Sequence, residues 1–234
     1  MLTVVTWRWK RPDGSSLFGP EFVNRMRNML ERRLGLPHRL LCLTDDTQGI
    51  DPRVECLPLP TEFADTFRCR RRMWQWSRDR ASLFGPRFLA IDLDLVLTDD
   101  ITPIVDRPEP LVMLRIGYAN TLSGSFILSD TGALHGAYAA YAADPVGFPK
   151  RTGLQNASDQ AMLNLWLRGQ KVAEWNERRD GFAVFFGAGY ERFAHLGVGP
   201  TRPQLPKGTR VVVLGSDDLG ALTDPRYPWR GEWR

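Results

Sequence analysis

The sequence predicts a single-domain α/β fold, layered around a mostly parallel mixed sheet. Three observations lead there. The chain opens on a β-branched apolar run, Leu2-Thr-Val-Val-Thr-Trp7, followed by an amphipathic helical period. Strand and helix signals then alternate in the order β-α-β-β-α-β over roughly the first ninety residues. Finally, 234 residues contain no internal repeat, no low-complexity block and no linker long enough to separate two domains.

Each element has its own justification. Leu2–Trp7 carries the continuous apolar character of a strand buried on both faces. Residues 20–34 place Phe22, Met26, Met29, Leu30 and Leu34 at helical spacing, with Pro20 at the start and Gly35 past the end. Arg39–Thr44 is a second strand, stopped by Asp45 and Asp46, and Val54–Leu57 a short third. Residues 66–84 form a Trp- and Arg-rich helix closed by Gly85-Pro86, and Arg87–Ile91 enters the next strand. Beyond residue 100 the pattern is less regular: strands at 111–115, 125–128 and 210–214, helices at 132–143 and 157–168, then a Pro/Trp-rich tail. Residues 1–100 read as a ligand-binding half and 101–234 as a second half with that tail.

Composition excludes several classes. Apolar residues at 43% and charged residues at 25% are those of a globular chain. No run approaches the roughly 18 apolar residues of a membrane span, and the opening strand meets Arg8 and Lys10 too soon for a signal peptide, so a cytoplasmic location is expected. Cys42, Cys56 and Cys69 lack metal-ligand spacing and read as reduced, mostly buried thiols. The net charge of +4 is uneven, with 16 Lys/Arg against 10 Asp/Glu before residue 91. Six arginines fall between Arg68 and Arg80, either a solvated helix face or a basic lip for phosphate. Trp74 and Trp76 among them alternate with Met73 and Leu83 as a core-facing stripe does, so nucleic acid is not an expected partner.

The sharpest chemical feature is Phe88-Leu-Ala-Ile-Asp92-Leu-Asp94-Leu-Val-Leu97. Carboxylates at i and i+2 point to one side of an extended chain, where they converge on a divalent cation, and two such charges in apolar surroundings are costly unless paired or metal-bound. Ligands of open α/β sheets collect outside the carboxyl ends of the strands. Thr6 and Trp7, then Thr44, Asp45 and Asp46, then Asp92 and Asp94 close three strands at that edge. Ser158-Asp159-Gln160 opens a helix, with Ser158 or Asp159 as its cap, a reading compatible with a catalytic one.

These stretches resemble the bacterial nucleotide-sugar glycosyltransferases of the GT-A fold, a cytoplasmic group distantly similar to the retaining galactosyl- and glucosyltransferases of glycogenin type. The resemblance spans roughly residues 2–170: Val4–Trp7, Phe22–Met26, Leu41–Asp46, Gly49-Ile50, Leu57–Pro60, the Trp-rich helix, Leu83–Pro86, Asp92-Leu-Asp94, Asn120 and Ser158–Gln160. It implies a three-layer GT-A-like sandwich and a metal-dependent transfer of sugar from a nucleoside-diphosphate donor, most simply a UDP-sugar, to a glycan or lipid-linked acceptor, with peripheral membrane contact as an option. By that resemblance Asp92 and Asp94 hold Mn²⁺ or Mg²⁺, and Asp92 also belongs to the donor contacts. Thr6, Trp7 and Asp45 bracket the nucleoside and Arg80 reaches the phosphates or sugar. Asn120, Asp159 and Gln160 face the anomeric carbon.

The chain departs from the pattern late. Relatives carry a histidine after the last strand, where this sequence reads Val211-Val-Val-Leu-Gly-Ser-Asp217-Asp218, so Asp217 is the candidate replacement ligand. The segment Gly181–Gly187 also lacks the usual Ser/Phe-Lys motif. His135 reads as a packed or surface residue, and His195 is undecided. A phosphatase of haloacid-dehalogenase type is a rival reading, with Asp92 as nucleophile, Asp94 as acid/base, and Ser129, Lys150 or Lys171, and Asp217-Asp218 as helpers. A degenerate transferase fold serving as a binding module is another.

Overall fold

The structure is a computed structural model that describes residues 1–11, 13–64, 66, 68–154, 156–187 and 196–234. Strand β1 (Leu2–Arg8) leads into helix α1 (Pro20–Arg33), strand β2 (His38–Thr44) and strand β3 (Glu55–Pro58). Pro20 occupies the first turn of α1, where its missing N–H goes unneeded, and the helix buries Phe22, Val23, Met26, Met29 and Leu30. The one-turn helix α2 (Ala81–Phe84) then precedes strand β4 (Arg87–Ile91), as the sequence order requires.

These four strands pair in parallel in the order β3-β2-β1-β4. The connection from β1 runs to one side and that into β4 to the other, so the topological switch point lies between β1 and β4. Strand β5 (Leu95–Leu97) and helix α3 (Thr102–Val105) follow, then strands β6 (Leu111–Ile116) and β7 (Thr121–Asp130). Strand β7 pairs antiparallel with both β4 and β6, with a register shift between Met113 and Arg115. After helices α4 (His135–Ala143), α5 (Gly147–Lys150) and α6 (Asp159–Trp166), strand β8 (Ala173–Asn176) joins β6 in parallel and completes a seven-stranded mixed sheet. Helix α7 (Glu177–Asp180) and strands β9 (Phe182–Val184) and β10 (Val211–Val213) follow, and β5, β10 and β9 form a second, three-stranded sheet.

The two faces of the large sheet bury separate cores, following the period-2 alternation of strand side chains. Val4, Leu40, Cys42, Leu89 and Ile91 pack with α1, the small sheet and the tail residues Tyr227, Trp229 and Trp233. Val5, Trp7, Leu41, Leu43, Phe88 and Ala90 pack with Met73, Trp76, α4 and α6.

The main departure from expectation is the stretch 66–84, which is not one α-helix. It comprises 3₁₀ helices at Arg68–Trp76 and Arg78–Arg80, then α2. The hydroxyl of Ser77 accepts from the Asp79 backbone N–H and breaks the run. With three residues per turn, Met73 and Trp76 stack on one buried face while Cys69, Arg72 and Gln75 share another. Strand β7 is longer than the 125–128 expected, and β5, β8 and β9 were not anticipated. Among the described residues no helix is long and apolar enough to cross a membrane.

Candidate functional site

Strand β4 ends at Ile91, and the next backbone N–H, that of Asp92, donates to the carbonyl of Ser125 on β7. Asp92 thereby emerges at the carboxyl end of β4, beside the switch point. Its side chain points to the face shared by Phe88 and Ala90, the side on which the 3₁₀ helix Arg68–Trp76 and α6 lie. From that helix Arg72 reaches both elements. Its Nε and Nη2 donate to the two carboxylate oxygens of Asp159 at 2.8 and 3.0 Å, and its Nη1 to Asp92. One guanidinium thus joins the end of β4 to the first turn of α6, in the planar fork that suits arginine and not lysine.

Asp159 is only 2% exposed. Ser158 caps α6 through the Ala161 N–H, so Asp159 stands in the first turn, where the helix dipole favours its negative charge. Burial works against the Arg72 charge, but Asp159 and Asp92 outweigh it and hold the guanidinium well above its ordinary pKa. Burial raises the Asp92 carboxyl, opposed by Arg72 and by the Ser125 hydroxyl. Asp94 follows two residues on, buried, with its Oδ1 finding no hydrogen-bond partner. Burial, reinforced by the Asp92 charge, pushes its carboxyl up to about 8. One cation therefore faces three carboxyl groups, and the acidic pair expected from the sequence is present at the expected strand end.

Gln160 sits beside this cluster. Its Oε1 accepts from the Gly124 N–H at 2.9 Å, and a Cβ on Gly124 would stand 3.1 Å from the Gln160 Cβ, so glycine there allows α6 to approach β7. Asn164, one turn on, grips the Leu122 backbone from both sides, through its Oδ1 and Nδ2. Asn120, in the turn between β6 and β7 with φ of 47°, lines with Gln160 a cavity of about 540 Å³.

Several residues expected at the donor have partners within the protein. The Thr6 side chain is fully buried, and Trp7 is buried with its indole N–H donated to Gln75 Oε1 at 2.9 Å. Asp45 is exposed, but both its oxygens accept the Lys10 backbone N–H, which ties the chain after β1 to the end of β2. Arg80 lies 4.0 Å over the Trp74 ring and pairs with Glu62 at 3.2 Å, so the arginine that meets the carboxylates is Arg72. Asp217 is exposed on the 3₁₀ helix Ser216–Leu222. Among the described residues no three His, Cys, Asp or Glu side chains form a metal-binding group, so the trio of Asp92, Asp94 and Asp217 is not assembled.

Arg72 was not singled out by sequence reasoning within the Arg68–Arg80 run. The available signal was a polar residue at every third position, Cys69, Arg72 and Gln75, against Met73 and Trp76 at the same spacing. His135 is half-buried and its Nδ1 accepts from the Arg78 backbone N–H, a packing contact, and His195 lies outside the described residues. Of the three free thiols only Cys42 is fully buried. Burial pushes Cys42 up to about 12, and burial with the nearby Asp159 charge does the same to Cys69. At pH 8 about one such thiol in ten thousand is ionised. Iodoacetamide should therefore label Cys56 first in the native protein, as read by mass spectrometry of its peptides, and labelling of Cys69 at an equal rate would contradict this environment.

No protein-family model matches the chain, and no curated protein matches it in sequence. Among solved structures it is similar to the glycosyltransferase GlyE of Streptococcus pneumoniae TIGR4, with a TM-score of 0.63 at 13% identity. That match covers 100% of this chain and 61% of the other, so the chain spans less than two thirds of its neighbour's length. The two share a fold.

Proposed function

We propose that the protein is a glycosyltransferase of GT-A type, distantly glycogenin-like, that moves a sugar from a nucleoside-diphosphate donor, most simply a UDP-sugar, to a glycan or glycolipid hydroxyl. The observation that carries this reading is the Arg72 bridge between Asp92 and Asp159 at the switch point of the sheet, with the unpartnered Asp94 oxygen beside it. The shared fold with a glycosyltransferase supports it.

The donor set suits a hard divalent cation. Asp94 offers a buried oxygen with no other partner, and Asp92 a second carboxylate two residues away. Mg²⁺ and Mn²⁺ sites of this kind need only one or two carboxylates when substrate phosphates supply the rest, so the missing third protein ligand is no obstacle. Bound there, the ion would neutralise charge on the departing diphosphate. Asp92, the more exposed of the two carboxylates, presents an oxygen able to accept a hydroxyl of the donor sugar, and buried Asp159 holds Arg72, and through it Asp92, in position. Gln160, held by Gly124, keeps its amide nitrogen available toward the reacting carbon. Asn120 completes the same wall.

The helpers that the phosphatase reading needs are not gathered at Asp92. Ser129 pairs with Phe88, four residues before Asp92 and thus roughly 13 Å down the strand at about 3.3 Å per residue, and its hydroxyl donates to the Asp130 carbonyl. Lys150 and Lys171 are exposed, Lys150 on the wall of a different cavity from that of Gln160.

Melting the protein with a panel of nucleotide sugars, with and without Mn²⁺, tests the assignment. A donor at a hundred times its Kd stabilises by about 2.7 kcal/mol, a rise of roughly 5–10 °C for a chain of this size. That rise should require the ion, and transfer or hydrolysis of the same donor should follow. A protein that binds donor without turnover would be a binding module. Absence of any shift across the panel would refute the donor site, and turnover of p-nitrophenyl phosphate would restore the phosphatase.

A further inference from the structure

The guanidinium of Arg72 is divided unequally between its carboxylates. Its Nε and Nη2 take both oxygens of Asp159, whose side chain is almost wholly buried. Its Nη1 takes Oδ1 of Asp92, and the Ser125 hydroxyl bonds to the same carboxyl. Asp94, two residues on, keeps a buried oxygen with no partner. The folded chain therefore offers a divalent ion one vacant buried oxygen, while the neighbouring carboxylate is already engaged by a cation of the protein's own. One carboxylate is a poor grip on an ion that gives up its water reluctantly.

Arg72 and a divalent ion ask for the same acidic pair, and the charge of either repels the other. The attachment of Arg72 shows which of its contacts can yield. Two donors and deep burial make Asp159 the anchor, whereas the Asp92 side chain is 22% exposed and receives one donor. Asp92 can turn away without unfastening the arginine. An Nη1 released from Asp92 is then a donor for a phosphate oxygen, a partner that suits the guanidinium as well as a carboxylate does.

We propose that Arg72 is a built-in counter-ion that closes Asp92 to divalent cations until a diphosphate replaces Asp92 as the partner of Nη1. Ion and diphosphate are then each held weakly alone and tightly together, a coupling that runs equally in both directions. This rests on the donor reading above and adds that entry of the ion is controlled by a cation of the chain itself.

Calorimetric titration with Mn²⁺ alone, no nucleotide present, tests the gate on the full chain. Arg72→Leu/Asp159→Leu removes the guanidinium together with its anchor and leaves Asp92 and Asp94 without that cation. It should bind Mn²⁺ about tenfold or more tightly than wild type does, and Mn²⁺ should raise its melting temperature by more than it raises that of wild type. Arg72→Lys keeps a charge but cannot span both carboxylates, so it should fall between the two, and it carries the test if the double variant folds poorly. Adding Asp94→Asn to the double variant should return the affinity to the wild-type level. Tight binding that survives this third change would put the ion elsewhere and overturn the proposal. Equal Mn²⁺ affinity in wild type and the Arg72 variants also overturns it, leaving Arg72 a structural bridge. UDP, corrected for its own chelation of Mn²⁺, should tighten Mn²⁺ binding to wild type by a larger factor than to the double variant, and an equal factor would again overturn the gate. If the variants gain Mn²⁺ affinity while no nucleotide sugar shifts the wild-type melt, the guarded cation site stands and the donor reading falls. If the donor shift is present and Mn²⁺ affinity is the same in every variant, the donor reading stands and the gate falls.

Discussion

Arg72→Leu should destabilise the protein by about 3–5 kcal/mol, because it strands a buried carboxylate that has lost its paired guanidinium. Asp159 is 2% exposed and receives both arms of the guanidinium, and Asp92 receives the third donor. In a chain of this size that loss lowers the melting temperature by roughly 6–20 °C. Arg72→Lys keeps the charge but not the fork and should fall between the two. The double variant Arg72→Leu/Asp159→Leu should recover part of the stability, since the orphan at Asp159 is removed while Asp92 still lacks its donor. On the proposed function it should nonetheless turn over donor at least about a hundredfold more slowly than wild type, because two groups to which that function assigns the positioning of the sugar are gone. Additive losses in the double variant would show that Arg72 and Asp159 act independently, and unchanged turnover would remove both from the site.

The legible and illegible parts of this molecule divide along physical lines. The β1-α1-β2-β3 half, α1 above all, could be read because its apolar period is strong and its ends are marked by Pro20 and Gly35. The acidic pair could be read because two carboxylates in Phe88–Leu97 contradict their surroundings, and such a contradiction marks a candidate site. Strands β5 and β9, each three residues long, carry no period and exist only through β10, whose partners lie more than a hundred residues upstream and nearly thirty residues back. The burial of Thr6 and Trp7 was illegible for a related reason: a position at a strand end reads as exposed, while Met73 and Trp76 of the Arg68–Trp76 segment pack in one core with Trp7. Arg72 was hidden because six arginines in thirteen residues resemble a solvated face, and only the switch from a 3.6 to a 3.0 period separates the one that turns inward.

The same reasoning predicts opposite effects of one substitution on stability and on binding. Asp94 is buried, its Oδ1 has no partner, and it stands near the Asp92 charge, an arrangement that costs the ligand-free protein stability. Asp94→Asn preserves the shape and, compared above pH 8 where the wild-type carboxyl loses its proton, replaces a carboxylate repelled by Asp92 with an amide that can donate to it. The ligand-free variant should therefore melt at least as high as wild type, with a gain of about 1–2 kcal/mol where the amide finds Asp92. Its Mn²⁺-dependent stabilisation by nucleotide sugar should disappear, because a neutral amide oxygen is a far weaker donor to a divalent ion than a carboxylate. Differential scanning fluorimetry on the two proteins, each with and without donor and Mn²⁺, reads both effects in one experiment. A variant several degrees less stable without ligand would mean that Asp94 has a structural partner, and a full donor shift in the variant would mean that the ion is held elsewhere. Only the crossed result, firmer when empty and indifferent to donor, is what a buried carboxylate kept for a cation produces.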